Sequence, residues 1–452
     1  MAFGRLGSIG AGFGHLGASP GGGVAAPSGG AALLVGETDG FAIDFAYPAD
    51  ASRVAVKVAS ATTSYGLDAF LQNAGTSPKQ VFDVAGTLVW SPHNMFLNSD
   101  APATQSVTTV VGQNYTVTVT GSGSMTGSAG ASGVATAGAP LTYTATTLTS
   151  TFTLGGSLTR IQMNRGAVAT AFLATTAAIR NGLAVNYDPV THAALGLLCE
   201  PAATNVLLNN ATLSTQSVTV SATAYTLSFF GTGTVTLSGV STAGPLVGTG
   251  ASDRVRLTFT PTAGSLTLTV TGTVSRAQLE TGSAATSPIP TYGVAVTRAI
   301  DAVTVLTATF PWSAAGANTI LCTAASNVVA NGIYWNLHDG TDTDRYLLTT
   351  SSGTKFADVL IIDNSAVQAT MSNAGTPVAG TYYKIALAAN TNDFAMCSNG
   401  GAVVTDVAGT LPTVTTLLLG GQRTATARDV YVKDIKIIPR RMTNVDMQAA
   451  TT

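Results

Sequence analysis

The acidic residues are few, and they limit what chemistry this chain can do. Three aspartates fall within Asp339-Gly340-Thr341-Asp342-Thr343-Asp344. Carboxylates at that spacing, Asp339, Asp342 and Asp344, can offer hard oxygen ligands to Ca2+. The same string also reads as a solvated hairpin turn, and it does not match an EF-hand. The only glutamates are Glu37, Glu200 and Glu280, so a glycosidase would have to draw its acid and base from aspartates. His15, His93, His192 and His338 stand apart, with no H-E-x-x-H. His338 beside Asp339 invites a triad, but no G-x-S-x-G elbow accompanies it. Gly10-Ala11-Gly12-Phe13-Gly14 lacks the strand and helix that a phosphate loop needs. The expectation is a chain that is not an enzyme.

Binding chemistry has better candidates. Tyr334, Trp335, Tyr346 and Trp312 are aromatic, and an aromatic face stacks on the apolar face of a pyranose while polar neighbours such as Asp339 orient it. The competing reading is sandwich core. Tyr334 and Trp335 are adjacent on one strand and so face opposite ways, which predicts that at least one is buried. A second set lies in the Gly-rich arm at 1–36, where Phe3-Gly4-Arg5-Leu6-Gly7 is echoed by Phe13-Gly14-His15-Leu16-Gly17. Phe3, Leu6, Phe13 and Leu16 cannot bury themselves among glycines. They read as anchors that order on a partner, against the plainer reading of a loose terminus.

These residues need elements to position them, and the elements come in copies. Asn94-Met95-Phe96-Leu97-Asn98, Thr104-Gln105-Ser106-Val107-Thr108 and Tyr115-Thr116-Val117 are answered by Asn205-Val206-Leu207-Leu208-Asn209, Thr215-Gln216-Ser217-Val218-Thr219 and Tyr225-Thr226-Leu227. The offset is 111 residues at Asn98/Asn209, 110 at Tyr115/Tyr225 and 116 at Gly156/Gly272. A period that long is a whole domain. Arg160 and Gln162 recur as Arg276 and Gln278, and residues two apart share a strand face, so the pair is expected to make structural hydrogen bonds.

Composition agrees with an all-β chain. It has 452 residues, 9% of them charged, with a net charge of −2. Twenty Lys and Arg spread over that length make no basic face for nucleic acid. Thr and Val suit pleated sheets, and Gly and Ser mark turns. Mean hydropathy is +0.33, yet no apolar run reaches spanning length. The N-terminus carries no charged and apolar pattern of an export signal, so a membrane barrel is not expected. Low charge is better explained by faces buried between subunits of a homo-oligomer. Cys199, Cys322 and Cys397, an odd set without C-x-x-C, read as buried apolar residues of a chain made in a reducing cytoplasm.

The strand pattern divides the chain in series: the arm at 1–36, a small β segment and connector at 37–93, a first jelly roll at 94–182, a connector at 183–204, a second jelly roll at 205–300, a sandwich at 301–441 and a tail at 442–452 with one helical turn. The Gly/Ala/Ser-rich stretch 121–138 reads as a mobile loop.

Tyr187-Asp188-Pro189-Val190-Thr191 followed by Leu195-Gly196-Leu197-Leu198-Cys199-Glu200-Pro201-Ala202-Ala203-Thr204-Asn205 resembles the connector of tailed-bacteriophage structural proteins, which string carbohydrate-binding-type jelly rolls before a terminal lectin-like sandwich. Ala277-Gln278-Leu279-Glu280-Thr281-Gly282, Ser287-Pro288-Ile289-Pro290-Thr291 and Val296-Thr297-Arg298-Ala299 look like the closing signature of such a module. The first module has Gln162-Met163-Asn164-Arg165-Gly166 instead and lacks the Pro-Ile-Pro turn. Gly380-Thr381-Tyr382-Tyr383-Lys384-Ile385-Ala386-Leu387 and Val432-Lys433-Asp434-Ile435-Lys436-Ile437-Ile438 are similar to strands of the laminin-G/concanavalin-like sandwiches of phage fibres. The resemblance implies a virion fibre, spike or decoration subunit: the arm bound to other virion proteins, the jelly rolls as spacers, and the outer sandwich binding a host-surface glycan. It also implies a trimer, or a pentamer imposed by a capsid vertex. Two alternatives stay open: a purely structural virion or surface-layer protein, and a polysaccharide depolymerase.

Overall fold

The computed structural model describes residues 28–47, 50–67, 70–73, 75, 77–305, 316–328, 332–351, 355–423 and 429–452. Two large antiparallel sheets form a sandwich. One sheet runs, edge to edge, through Ala61–Tyr65, Val54–Val58, Gly40–Asp44, Val430–Ile438, Asn318–Ser326, Tyr382–Asn390, Asp393–Ser398 and Val404–Asp406. The other runs through Ala366–Ala374, Lys355–Asp363, Arg345–Ser351, Ile333–His338, Thr416–Leu419, Val303–Val305, Leu71–Asn73, Arg180–Asn181 and His93–Asn94. Alternating apolar residues of both sheets meet in one core that includes Phe41, Ile43, Leu71, Leu197, Trp335, Tyr346, Leu387 and Ile437.

The strand pairing unites segments that a reading in series keeps apart. Phe41 lies opposite Ile437, Leu197 opposite Val432, and Val303 opposite both Asn73 and Leu419. The 37–93 segment and the 183–204 connector therefore complete the sandwich of 301–441. Val430–Ile438 shares one edge between two strands, Ala194–Cys199 and Gly40–Asp44. Without these partners its backbone donors and acceptors would be unpaired.

Each jelly roll is consequently an insertion. The first leaves and re-enters through His93–Asn94 paired with Arg180–Asn181. The second does so through Ala203–Asn205 paired with Val296–Arg298. Each module buries its own core, around Phe96, Tyr115 and Phe152 in the first and Leu207, Leu227 and Phe229 in the second.

The Gly-rich stretch 121–138 is not a loop. Asn114–Ser128 pairs along its length with Thr149–Arg165, and Gly133–Thr136 adds a further strand. Small residues are required there because the two strands come very close: a Cβ on Gly123 would meet the Gly155 carbonyl oxygen at 2.3 Å. The tail forms a helix, Asn444–Thr451, whose first turn is capped by the Thr443 hydroxyl. It covers an apolar patch of Ala386, Ala388, Ala395, Cys397 and Ile438. All three cysteines are free and buried.

Candidate functional site

The second jelly roll and the sandwich meet around a buried ionic cluster with an open cleft beside it. The cluster is built on Glu200, which ends the apolar strand Ala194–Cys199 and is 1% exposed. One carboxylate oxygen accepts the Ser287 amide at 2.6 Å; the other accepts the Ser287 hydroxyl at 2.7 Å and Arg298 Nη1 at 2.6 Å. Lys79 Nζ lies 3.5 Å from Glu200 and 2.5 Å from Asp301. Asp301 also accepts the Glu200 amide at 2.7 Å. Burial alone would raise the Glu200 pKa, but the charges of Arg298 and Lys79 and the two Ser287 hydrogen bonds override it and hold it down at about 2. Three regions distant in sequence, at 79, 200 and 287–301, are tied together at this point.

The cleft has a volume of about 430 Å3, within the roughly 300–1,000 Å3 of small-molecule sites. Sandwich residues supply one wall through Phe82, Asn186, Asn327, Asp429 and Tyr431; the second jelly roll supplies the other through Phe230, Arg254 and Arg256. Phe82 and Phe230 meet edge to face at 6.1 Å. Asn186 accepts the Phe82 amide and donates to the Tyr431 hydroxyl at 2.7 Å, so that hydroxyl keeps its own proton to give. Asp429 accepts Asn327 Nδ2 at 2.6 Å through one oxygen, and the other has no partner among the described residues. Burial, then the nearby Glu200 charge, pushes the Asp429 pKa up to about 7. Arg254 donates to the Thr286 carbonyl oxygen and to Ser228 Oγ, and lies over the Phe230 ring. Arg256, two residues along the strand Gly250–Phe259, is exposed and makes no hydrogen bond or ion pair among the described residues. The cleft therefore offers aromatic edges, unspent hydrogen-bonding capacity and one uncommitted cation.

The residues singled out from sequence fall elsewhere. Tyr334, Trp335 and Tyr346 are fully buried in the sandwich core and present no face for a sugar. A β-bulge between Ile333 and Trp335 interrupts the alternation, so both rings of the adjacent pair enter the same core. Asp339 bonds the hydroxyl and amide of Thr341 and the hydroxyl of Thr343. Asp342 pairs with Arg345 and Arg423, and Asp344 accepts the Asn364 amide. The three carboxylates thus bond the turn and the segments beside it, and no metal-ligating group of three or more His, Cys, Asp or Glu forms among the described residues. Phe3, Leu6, Phe13, Leu16 and Trp312 lie outside the described residues.

His93 is structural. Its Nε2 accepts the Arg165 amide at 2.7 Å and its Nδ1 faces the Ser91 carbonyl oxygen at 2.8 Å. Burial holds its pKa at about 4, so it is neutral. His338 accepts the Gly340 amide at Nδ1.

The repeated residues act as paired clamps. Asn94 Nδ2 donates to the Ile161 and Leu173 carbonyl oxygens while its Oδ1 accepts the Phe96 and Met163 amides. Asn205 does the same with Ala277, Ile289, Leu207 and Leu279. Gln162 and Gln278 fasten the closing segments through the Leu173 and Ile289 amides. The Arg half of the repeated pair does not share this role: Arg160 pairs with exposed Asp100, and Arg276 lies over the Phe230 ring. The partners of Glu200 were on the sequence page, since Arg298 closes the module signature. The usable signal was a lone glutamate ending an apolar run, which demands a buried cation.

No family model matches the chain, and no curated protein matches it. Among solved structures it is similar to the CBM40 module of Ruminococcus gnavus IT-sialidase bound to α2,3-sialyllactose, at 16% identity and a TM-score of 0.27, covering 30% of this chain and 83% of that one. It is similar to the heptameric SAP-like pentraxin of Limulus polyphemus at 12% identity and a TM-score of 0.26, covering 30% and 70%. A botulinum neurotoxin type C structure, whose cell entry depends on two ganglioside molecules, matches at 9% identity and a TM-score of 0.26, covering 33% and 39%.

Proposed function

We propose that the chain is a non-catalytic glycan-binding protein of a tailed-phage virion, a fibre, spike or decoration subunit. The observation that carries the glycan reading is the cleft between the sandwich and the second jelly roll. It combines aromatic edges from Phe82 and Phe230 with polar groups that have unspent hydrogen bonds, the mixture that saccharides require. A non-catalytic role is supported by how the one glutamate at the cleft is used: both Glu200 oxygens are consumed by Ser287 and Arg298, so it is not available as a glycosidase acid or base.

The virion setting rests on the connector and closing motifs. In it, the arm docks on other virion proteins through Phe3, Leu6, Phe13 and Leu16, and the chain assembles as a trimer or as a pentamer at a vertex. A glycan array probed with the full chain tests the binding role. Retention of host-surface glycans, weakened at least tenfold by Tyr431→Phe, is the expected result. Absence of binding to every host polysaccharide overturns it and leaves the purely structural reading. Released oligosaccharides on incubation with host capsule would establish the depolymerase instead. Electron microscopy of immunolabelled particles tests the virion location.

A further inference from the structure

We infer that the cleft recognises an acidic oligosaccharide, with a sugar carboxylate seated on the guanidinium of Arg256; this rests on the glycan-binding reading and specifies its ligand class. Arg254 and Arg256 share one face of the strand Gly250–Phe259, and both line the cleft. Their roles divide sharply. Arg254 is committed to the Thr286 carbonyl oxygen, Ser228 Oγ and the Phe230 ring. Arg256 is exposed at the rim with five donors and no partner among the described residues.

The neighbouring acids do not neutralise it. Asp253 also lines the cleft, but it accepts the Thr249 hydroxyl at 2.5 Å and forms no ion pair with Arg256 among the described residues. Asp188, on the facing loop, accepts the amides of Val190 and Thr191 through one oxygen at 2.9 and 2.7 Å and forms no ion pair with Arg256 among the described residues. Glu200 and Asp301 are neutralised by Arg298 and Lys79. Arg254 and Arg256 are close enough to repel, and the unpaired Arg256 fork beside the cleft is left with donors that a ligand carboxylate would satisfy. The planar fork of arginine matches a carboxylate with two parallel hydrogen bonds.

The rest of the cleft suits the remainder of a sugar. Tyr431 has a hydroxyl proton to donate, and one Asp429 oxygen has no partner among the described residues. The Asp429 carboxyl, which could repel an anion, is held largely in its neutral form up to about pH 7 by burial and by Glu200.

The test is titration calorimetry of the full chain against oligogalacturonate and α2,8-linked oligosialate, each also in its carboxyl-reduced form, with chondroitin sulfate as a sulfated comparison. At least one acidic probe is expected to bind at least tenfold more tightly than its reduced form. Arg256→Gln is expected to abolish that preference, and Arg256→Lys to restore part of it, since a point charge remains without the fork. Arg256 is exposed, so both variants should keep the wild-type melting temperature. Equal affinity for acidic and reduced forms overturns the inference while leaving the glycan reading intact, as does a preference that survives in Arg256→Gln. Tighter binding of the sulfated probe than of either carboxylate overturns the choice of a carboxylate. If a broad array of neutral and acidic host glycans shows no binding at all, the glycan reading falls and takes the inference with it.

Discussion

Glu200 is nearly inaccessible to solvent, and its ionised form is held by Arg298, Lys79 and two Ser287 bonds. Removing one member of such a cluster leaves the others charged and uncompensated, at a cost of about 3–5 kcal/mol. Lys79→Met should therefore lower stability by that order in denaturant unfolding, well beyond the effect of breaking the exposed Arg160–Asp100 pair. The pH response has two parts. The Glu200 pKa is depressed on folding, so its contribution is complete above the unfolded carboxyl range near pH 4.5 and is lost as pH falls toward about 2. The Asp429 pKa is raised, so the folded state holds a proton that the unfolded chain has released, and stability declines as pH rises from about 4 to about 7. Asp429→Asn should flatten that decline, giving a higher melting temperature than wild type at pH 8 and little difference at pH 4.

At the scale of elements, the repeat is a repeat of fastenings. Asn94 and Asn205 each use all four side-chain hydrogen-bonding positions to join the opening segment of a module to its closing segment. Asn164 and Glu280 hold the equivalent threonine amides, Thr170 and Thr286, so a neutral amide in one module does what a carboxylate does in the other. Each buried group left unpaired costs about 1–3 kcal/mol. Asn94→Ala should loosen the first jelly roll alone and Asn205→Ala the second alone. Hydrogen exchange would show protection lost in 94–178 for one variant and in 205–291 for the other. Loss spread over both modules in either variant would contradict independent cores.

At the scale of the molecule, the two insertions explain how a 452-residue chain forms one branched body. Gly40–Asp44, Leu71–Asn73 and Ala194–Cys199 each lie between two other strands of the sandwich sheets. A fragment of 301–452 is therefore expected to be unfolded by circular dichroism, because it lacks Gly40–Asp44, Leu71–Asn73 and Ala194–Cys199. Replacing 95–179 with a short Gly/Ser linker should leave the sandwich folded, since Asn94 and Arg180 already lie opposite each other. The first jelly roll would then be dispensable for folding. The second would not be, because the Glu200 cluster reaches from it into the sandwich.

Strand content was legible because period-two alternation and turn residues are local properties. The strand-like stretches 380–387 and 432–438 read from the sequence fall on the strands Tyr382–Asn390 and Val430–Ile438. The duplicated Asn, Gln and Tyr positions were legible because two copies show the same fastening twice. Partner choice was not: alternation says which side of a strand is apolar but not which strand lies beside it, so Phe41 gives no sign that it sits across from Ile437. The bulge that turns both Tyr334 and Trp335 inward is likewise set by pairing with the neighbouring strand. The cleft arises only because an insertion folds back on its host, placing Arg256 and Tyr431, 175 positions apart in the chain, on walls of one cavity. The sequence alone determined an all-β chain with a duplicated module; the tertiary structure decided that the modules branch from one sandwich, because strand pairing is nonlocal and leaves no mark on the segment that makes it.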